Sequence, residues 1–410
     1  MKFLQVDTIE EAREKLLKSA LGWLPKVETV PLEDASGRVL AKEVAATEDL
    51  PHFRRSTVDG FAVQAKDTAA AGESIPTFLD IVGAVEMGKT ANFEIKSGQC
   101  AEIPTGGMVP LGADAVVMVE YCELFGDDGV AIYKSCAHGS HVVQIGDDMK
   151  AGTLLMPVGR CLTPQDIGTL AVAGVGEVAV FARPSICFIS TGDELLSPHT
   201  SPLENGKIRE TNSLSLSALA RKLGFNVEKT MTLPDDENTI KQAIIQSMEK
   251  YDIVAITGGS SQGKKDMTAE ILDAVSGGGV FTHGIAIKPG KPTILGVDKP
   301  SQTLLVGLPG HPVSSMTVFE LIFGWLWRRL MGVPEGFPIV AKLTDNVPGS
   351  AGKLTFYACK LSLDADGYKA CPIFSKSGLI SSLSAADGYF LIAQDTEGLR
   401  KNDTVHVHLY

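Results

Sequence analysis

The sequence predicts a protein of several domains that combines α/β and β folds. Its 410 residues exceed what one hydrophobic core usually supports, so about two to four domains are expected. Strand and helix patterns alternate at 181–331, whereas short β-type runs separated by Gly, Pro or Asp recur at 50–145 and at 332–410. The alternation predicts βαβ crossovers and a mainly parallel sheet, and the short runs indicate β domains.

Composition and charge narrow the class of protein. The chain is 44% hydrophobic and 21% charged, and its net charge of −12 argues against broad binding to nucleic acid or anionic membranes. The seven cysteines are scattered and form no C-x-x-C pair, which favours reduced thiols. The amino-terminal residues lack a signal-peptide pattern, and the most apolar helix candidate, 318–327, is too short to cross a bilayer. We therefore expect a cytoplasmic protein without membrane or nucleic-acid partners.

The amino-terminal part of the chain reads as one domain interrupted by another. A capping-box pattern, Thr8 with Glu11, begins a predicted helix at 8–24, and residues 38–49 look extended. Short β-type runs recur from 77 to 145, and a helix with extended arms follows. These patterns predict a split N-terminal domain, residues 1–49 and 146–180, around a β-rich insert domain, residues 50–145.

A parallel α/β domain is predicted at 181–331 and a C-terminal β domain at 332–410. Strands are expected at 185–190, 226–233, 252–257, 293–297 and 303–308, and helices at 212–223, 237–250, 266–275 and 313–331. Thr211 or Asn212 is expected to cap the first of these helices.

Three strands of the α/β domain end in glycine-rich polar loops. The first runs into TGDEL (191–195), the second into GGSSQG (258–263) and the third into PGHPVSS (309–315). Such loops present backbone N–H groups at helix N-termini, which hold phosphate or another oxyanion. An anionic small molecule is therefore expected at the carboxyl edge of the sheet. The loop residues suited to it are Gly258, Gly259, Ser260, Ser261 and Ser314.

A pair of lysines lies near these loops in KPGKP (288–292). Lys288 and Lys291 are separated by three positions, and the prolines between and after them restrict the backbone. Lysine is a point-charge partner of phosphate, although a solvated charged loop explains the same pattern. His311 in PGHP is as consistent with an ordinary loop as with a catalytic histidine.

Carboxylates accompany the same loops. Glu194 in TGDEL, Asp235 in PDDEN and Asp266 in GKKD could hold Mg²⁺ or a water, because oxygen ligands suit a hard cation. Helix capping is the alternative for Glu194 and for Asp235 or the aspartate after it. Asp59 in STVDG and Thr105 in PTGG are most simply turn residues, and their spacing does not bring them to the α/β edge.

Six strings, taken in order, resemble one family. They are LPHFRRSTVDGFAV, PTGGMVPLGADAVVMVE, STGDEL, TGGSSQGKKD, IKPGKPTILG and GLPGHPVSS. They are similar to the MoeA-type molybdopterin molybdenumtransferases, a family also found as the C-terminal domain of gephyrin. The resemblance implies an elongated four-domain protomer, usually a homodimer with its active site between subunits, whose α/β domain is a molybdopterin-binding domain.

The implied reaction is the last step of molybdenum cofactor biosynthesis. Adenylylated molybdopterin and molybdate are the substrates, molybdenum cofactor and AMP are the products, and Mg²⁺ is the usual divalent cation. A molybdopterin adenylyltransferase is the implied upstream partner.

The resemblance also implies site residues. Positions expected to be catalytic are Asp59, Thr105, Glu194, Asp235 and Asp266. Further substrate-binding positions are Lys288, Lys291, Pro309, Pro312 and Ser377. Because carboxylates alone would repel a polyanionic pterin, we expect Mg²⁺ on Asp59, Asp235 and Asp266. Glu194 is expected to position molybdate through a water or to act as a base.

Several positions depart from the family pattern and leave alternatives open. His311 replaces the usual Asn, Lys264 replaces an acidic residue, SKSG (375–378) replaces QGSG, and 353–361 lacks the usual arginines. A non-catalytic scaffold that stores or hands over the pterin is therefore one alternative. A tungstate-specific transferase shares every motif. A generic nucleotide-binding enzyme is disfavoured, because the chain has no Walker A or G-x-G-x-x-G loop after a strand.

Overall fold

A computed structural model describes residues 6–20, 26–258 and 265–410. Helix α1 (Ile9–Ala20) begins with the predicted capping box, in which Thr8 N donates to Glu11 Oε2 (2.8 Å) and Glu11 N donates to Thr8 Oγ1 (3.1 Å). The predicted end of this helix, 21–24, lies outside the described residues. The apolar face of α1, including Ala12 and Leu16, packs into the core of the α/β domain.

The first ten strands of the chain include two that precede the β-rich insert and eight that belong to it. In chain order these strands are β1 (Val27–Pro31), β2 (Val44–Ala45), β3 (Arg55–Ser56), β4 (Gly60–Val63), β5 (Thr77–Ala84), β6 (Gln99–Ile103), β7 (Ala115–Met118), β8 (Cys122–Phe125), β9 (Gly129–Ile132) and β10 (Val142–Val143). Six of them form one sheet in the order β7-β4-β6-β5-β9-β8, and β10 pairs with β3. Buried side chains cover both faces of the six-stranded sheet, which gives the insert a core of its own.

After the insert the chain returns to strands that preceded it. The returning elements are β11 (Leu154–Met156), α2 (Pro164–Val172) and β12 (Glu177–Phe181). Strand β11 pairs with β2 and β12 pairs with β1, both antiparallel. The polypeptide on the two sides of the insert therefore forms common sheets, as the predicted fold class requires.

The α/β domain follows. Its elements are β13 (Ser185–Thr191), β14 (Leu195–Leu196), β15 (Ile208–Arg209), α3 (Asn212–Lys222), β16 (Asn226–Leu233), α4 (Glu237–Met248), β17 (Ile253–Gly258), α5 (Lys265–Val275), β18 (Val280–His283), β19 (Ile287–Lys288), β20 (Ile294–Asp298), β21 (Thr303–Leu308), α6 (Pro312–Phe319) and α7 (Trp325–Met331). A six-stranded sheet has the order β16-β13-β17-β21-β20-β18. Its first four strands are parallel, and β20 alone runs antiparallel to both of its neighbours, β21 and β18, which confirms the mainly parallel sheet.

Two details of the helices differ from the prediction. The helix expected at 313–331 is interrupted between α6 and α7 by a π-helical segment, Glu320–Gly324. Neither Thr211 nor Asn212 caps α3 through its side chain. Glu210 does so instead, because its Oε1 accepts a hydrogen bond from Ser213 N at 2.7 Å.

The C-terminal region forms a barrel. Its elements are β22 (Ile339–Leu343), β23 (Val347–Pro348), β24 (Leu354–Asp364), β25 (Gly367–Pro372), α8 (Ser381–Ser384), β26 (Gly388–Ile392), β27 (Gly398–Leu399) and β28 (Thr404–Leu409). The sheet order β19-β24-β25-β22-β28-β26 closes because β26 also pairs with β24. Strand β19 of the preceding domain joins this sheet from outside, parallel to β24. No helix within the described ranges is long and apolar enough to span a membrane.

Candidate functional site

Two of the predicted anion-binding loops touch at the carboxyl edge of the α/β sheet. Strands β13 and β17 are neighbours, and Thr191 is in register with Gly258. Gly258 has φ +121°, and a Cβ there would lie 2.2 Å from the backbone oxygen of Thr191. Only glycine therefore permits this close approach of the two loops. The predicted ligands Gly259, Ser260 and Ser261 lie outside the described residues.

The acidic residues of the α/β domain lie on adjoining loops. Asp193 Oδ1 accepts a hydrogen bond from Asp235 N at 3.1 Å, which ties the TGDEL loop to the PDDEN loop. Glu194 is exposed, and its carboxylate folds back toward its own loop. This position is shown by its closeness to Gly192, where an added Cβ would lie 2.8 Å from Glu194 Oε2. Glu194 and Asp235 thus lie on adjoining loops at the same edge of the sheet.

The helix-capping alternative falls on Asp236 rather than Asp235. Asp236 Oδ1 accepts from Thr239 Oγ1 (2.6 Å) and Thr239 N (2.8 Å) at the start of α4. These hydrogen bonds hold the pKa of Asp236 below its ordinary value. Asp266 lies in the first turn of α5, and its side chain is outside the described part of the chain.

Asp59 and Thr105 meet in the insert, although the sequence singled them out separately. Both the backbone N–H of Thr105 (2.7 Å) and its hydroxyl (3.0 Å) donate to Asp59 Oδ1. The backbone hydrogen bond, with help from the hydroxyl, holds the pKa of Asp59 below its ordinary value. The result is an exposed, ionised carboxylate whose Oδ2 is not engaged by Thr105. Among the described residues, no group of three or more acidic, His or Cys side chains is arranged to hold a metal ion.

A cleft of about 1040 Å³ separates the α/β domain from the C-terminal barrel. We call it the lysine cleft. The predicted substrate-binding residues on its wall are Lys288, Lys291, Pro309, Ser314 and Ser377. Pro312 begins α6 beside the wall without lining it.

The charge of the lysine cleft is opposite to that of the whole protein. Its described wall carries four lysines and no carboxylate, whereas the chain has a net charge of −12. Two of these lysines, Lys353 and Lys376, come from the barrel, and sequence reasoning missed both. The sequence offered only two weak signals. Lys353 begins the segment 353–361, which lacks the usual arginines, and Lys376 lies in the SKSG string. A concave wall with one sign of charge attracts small anions.

The loop 288–292, which carries Lys288 and Lys291, is held between two domains. Strand β19 is parallel to β24, and Lys288 Nζ donates to Ser350 Oγ at 3.0 Å. On the other side, Gly290 has φ +121°, and a Cβ there would lie 2.5 Å from Val318 Cγ2 on α6. The loop backbone thus fits against α6 only with glycine at this position, which preorganises the lysines that flank it.

Ser377 connects the barrel to the start of α6. Its Oγ lies 3.0 Å from His311 Nδ1, and its carbonyl oxygen accepts from Val313 N at 3.3 Å. His311, which departs from the family pattern, therefore contacts the serine of the other departing string, SKSG. The two changes therefore meet across the cleft, His311 on its α/β side and Ser377 on its barrel side.

A buried polar network that the sequence did not indicate underlies the strand-end loops. Glu210 is buried, and its carboxylate accepts hydrogen bonds from Ser190 Oγ (2.9 Å) and Ser213 Oγ (2.5 Å). Ser190 Oγ also lies 3.3 Å from Thr257 Oγ1. The network links the ends of β13 and β17 to the start of α3. An acidic residue just before a predicted helix was the one available signal.

Comparison with known proteins extends over almost the whole chain. Residues 7–174 match the MoeA N-terminal region (domain I and II), residues 187–327 a probable molybdopterin binding domain, and residues 340–410 the MoeA C-terminal region (domain IV). A molybdopterin molybdenumtransferase of Staphylococcus aureus (strain Mu50) is 31% identical over 405 residues, which are 98% of this chain and 95% of that protein. Molybdopterin molybdenumtransferase 2 of Mycobacterium tuberculosis is 35% identical over 334 residues, 80% of this chain and 82% of that protein.

A solved structure has a similar fold over almost the whole chain. The crystal structure of the molybdopterin biosynthesis moeA protein from Pyrococcus horikoshii OT3 has a TM-score of 0.83 and 32% identity, and the match covers 99% of this chain and 100% of that one. The fold and the lysine cleft define a multidomain α/β and β protein with a site suited to anionic small molecules. The chain belongs to the MoeA-type molybdopterin molybdenumtransferase family, which confirms the resemblance seen in the sequence.

Proposed function

We propose that this protein inserts molybdenum into molybdopterin, with adenylylated molybdopterin and molybdate as substrates and with release of AMP. Family membership supports the reaction. The observation that carries the proposal on this chain is the lysine cleft, whose described wall has four lysines and no carboxylate. The proposal takes residues 1–49 with 146–180, 50–145, 181–331 and 332–410 as the four domains of the family.

The lysines provide the binding energy and orientation for anions. Lys288 and Lys291 approach from the α/β side, and Lys353 and Lys376 approach from the barrel. A phosphate or molybdate between these walls interacts with both domains at once. Each ammonium is a compact point charge without fixed geometry, so the cleft suits oxyanions of different shape.

The carboxylates are proposed to hold Mg²⁺. Asp59 fits this role because Thr105 keeps it ionised and engages only Oδ1, which leaves a second carboxylate oxygen as a donor. Asp235 and Asp266 are the other proposed ligands. The bound cation would neutralise and polarise the pyrophosphate. Glu194, exposed at the edge of the sheet, is proposed to position molybdate through a water or to accept a proton.

A homodimer is proposed to complete the site. Asp59 belongs to the insert and Asp235 to the α/β domain. In the proposed homodimer, Asp59 of one subunit faces the α/β loops of the other. We further propose that the protein acts in the cytoplasm and receives its pterin from a molybdopterin adenylyltransferase.

AMP release tests the proposal. The purified protein is incubated with adenylylated molybdopterin, molybdate and Mg²⁺, and AMP is quantified by chromatography. We expect molybdate-dependent AMP release that is lost in the Lys288→Ala/Lys291→Ala double variant and kept in Lys401→Ala, which alters an exposed lysine outside the cleft wall. Binding of the pterin without any AMP release would contradict the transferase and favour a scaffold.

A further inference from the structure

His311 is the one histidine on the described wall of the lysine cleft, and the proposed reaction gives it no role. It is exposed and directly precedes Pro312, the first residue of α6. Its Nδ1 lies 3.0 Å from Ser377 Oγ on the barrel side of the cleft. A second contact holds the serine in this position, because Val313 N donates to the Ser377 carbonyl oxygen at 3.3 Å.

The second ring nitrogen of His311, Nε2, has no hydrogen-bond partner among the residues that the structure describes. Because His311 is exposed and lines the cleft, this nitrogen is available to a molecule bound there. The rest of the wall indicates the class of that molecule, since it carries four lysines and no carboxylate. These lysines are Lys288, Lys291, Lys353 and Lys376. An oxyanion is negatively charged and accepts hydrogen bonds, so it suits both the ammonium groups and a ring N–H.

Protonation of His311 changes what this pair offers to a ligand. A neutral imidazole has one N–H, so either His311 or Ser377 can be the donor in the contact between Nδ1 and Oγ. In the imidazolium both ring nitrogens donate, so Nδ1–H donates to Ser377 Oγ and the hydroxyl hydrogen is free for another acceptor. The protonated pair therefore presents a positive charge, an Nε2–H donor and the Ser377 O–H donor.

The other ionisable groups around the cleft do not produce the same change near neutral pH. Besides the four lysines, the described wall carries Tyr357, whose hydroxyl donates to Pro348 O at 2.8 Å. Burial raises the pKa of Tyr357, which keeps this hydroxyl neutral. Glu210, which precedes α3, is buried and accepts hydrogen bonds from serines of the underlying network. Of the ionisable side-chain types on the wall, histidine is the one that ordinarily changes charge between about pH 5 and 8.

We infer that His311, together with Ser377, binds an oxyanion in the lysine cleft and binds it more tightly when the imidazole is protonated. The inference rests on the proposed function, which makes the cleft a site for phosphate and molybdate oxygens. An oxyanion held by the lysines stabilises the proton on His311, and the proton stabilises the bound anion, because such linkage is reciprocal. The affinity for the anion therefore rises as the pH falls, through a residue that the family pattern does not supply.

Calorimetry at two pH values tests the inference. Molybdate and molybdopterin are titrated separately into the wild-type protein, His311→Asn and His406→Asn at about pH 6 and about pH 8.5, on either side of the usual histidine titration. At the lower pH, His311→Asn should bind the oxyanion about fivefold more weakly than the wild type, a modest effect because solvent screens charges in an open cleft. At the higher pH the two proteins should bind nearly equally, because neither side chain is then charged. His406→Asn is the matched control, since His406 is an exposed histidine of β28 outside the cleft wall, and it should match the wild type throughout.

Proton uptake gives a second readout. Molybdate binding near pH 7 is measured in two buffers of different ionisation enthalpy, which reveals the number of protons taken up. The wild type should take up a fraction of a proton, and His311→Asn should take up less. A loss of affinity in His311→Asn that is the same at both pH values would overturn the inference, because a purely structural contact with Ser377 predicts that result. Equal affinities of the two proteins at both pH values would overturn it as well.

The two ligands distinguish the sources of the oxyanion. A pH-dependent difference confined to molybdate assigns His311 to the molybdate oxygens, and one confined to molybdopterin assigns it to the phosphate group. Asparagine is a good residue at a helix N-cap, so His311→Asn should fold. Thermal unfolding checks this, and His311→Gln replaces the variant if it is not folded.

Failure of the proposed function would look different. A pH-dependent difference at His311 without any AMP release would refute the transferase and leave the oxyanion-binding role in place. Normal AMP release without that difference would overturn the role of His311 alone. A wild-type protein that binds neither molybdate nor molybdopterin at either pH would overturn both.

Discussion

Thr105 donates two hydrogen bonds to one oxygen of Asp59, at 2.7 Å from its backbone N–H and at 3.0 Å from its hydroxyl. The two residues belong to turns 46 positions apart in the sequence. Their contact explains how an exposed aspartate in the insert keeps a pKa below its ordinary value. It also gives Thr105 a role through Asp59, that of fixing the charge and orientation of the carboxylate.

Thr105→Val should therefore raise the pKa of Asp59, because it removes the hydroxyl donor and keeps the backbone donor. The acid limb of the pH–rate profile for AMP release should move to higher pH. Turnover should fall by roughly tenfold, the usual effect of losing a residue that orients a metal ligand. Thr105→Ser restores the hydroxyl and should restore the profile. An unchanged acid limb in Thr105→Val would remove Asp59 from the rate-determining ionisation.

Gly258→Ala should destabilise the protein by roughly 1–3 kcal/mol or more, because the new Cβ would collide with the backbone of Thr191 at a positive φ. Gly367→Ala is the matched control. Gly367 has a similar positive φ, +109°, but a Cβ there would meet no atom within 4 Å. Guanidinium unfolding of both variants separates the backbone strain from the collision. Equal losses in the two variants would show that contact with Thr191 contributes nothing.

The barrel lysines should contribute to anion binding. Lys353→Ala and Lys376→Ala should each weaken molybdate binding by roughly fivefold, a modest effect because solvent screens charges in an open cleft. The affinity should also fall as salt concentration rises, and less steeply in the variants. Lys401→Ala provides the control from the same barrel. Calorimetry that gives wild-type affinity for both cleft variants would restrict the anion site to Lys288 and Lys291.

Asp236→Ala should lower stability at neutral pH, because Asp236 caps α4 through Thr239. The folded pKa of Asp236 lies below its unfolded value, so its ionised form stabilises the fold above the unfolded pKa. That contribution is lost as the pH falls through the folded pKa. The difference between wild type and Asp236→Ala in urea unfolding should therefore disappear in acid. Asp236→Asn, a cap that does not titrate, should show no such pH dependence, and a constant difference for Asp236→Ala would contradict the assignment.

Local patterns in the sequence predicted the α/β sheet well. Buried strands such as Ser185–Thr191 and Ile253–Gly258 are continuous apolar runs, and Gly258 at the end of the second is required by its close approach to Thr191 on the neighbouring strand. Features that depend on distant parts of the chain were not predictable in this way. The pairing of β19 with β24 and the hydrogen bonds from Thr105 to Asp59 have no local periodic signature.

The lysine cleft illustrates the same limit. Lys288 and Lys291 were recognisable because prolines and a glycine set them apart from ordinary surface lysines. Lys353 and Lys376 have no such context, and only the position of the barrel beside α6 brings them to the cleft wall. Glu210 was missed because a buried carboxylate cannot be told from an exposed one without its hydrogen-bond donors.

The most direct test of the central claim is a crystal structure with adenylylated molybdopterin bound. The account predicts that an anionic group of this compound lies within hydrogen-bonding distance of Lys288 and Lys291, between the α/β domain and the barrel. It also predicts that Asp59 of the other subunit lies near the pyrophosphate. A bound compound that occupies a site away from the lysine cleft and from the carboxyl edge of the α/β sheet would contradict the account.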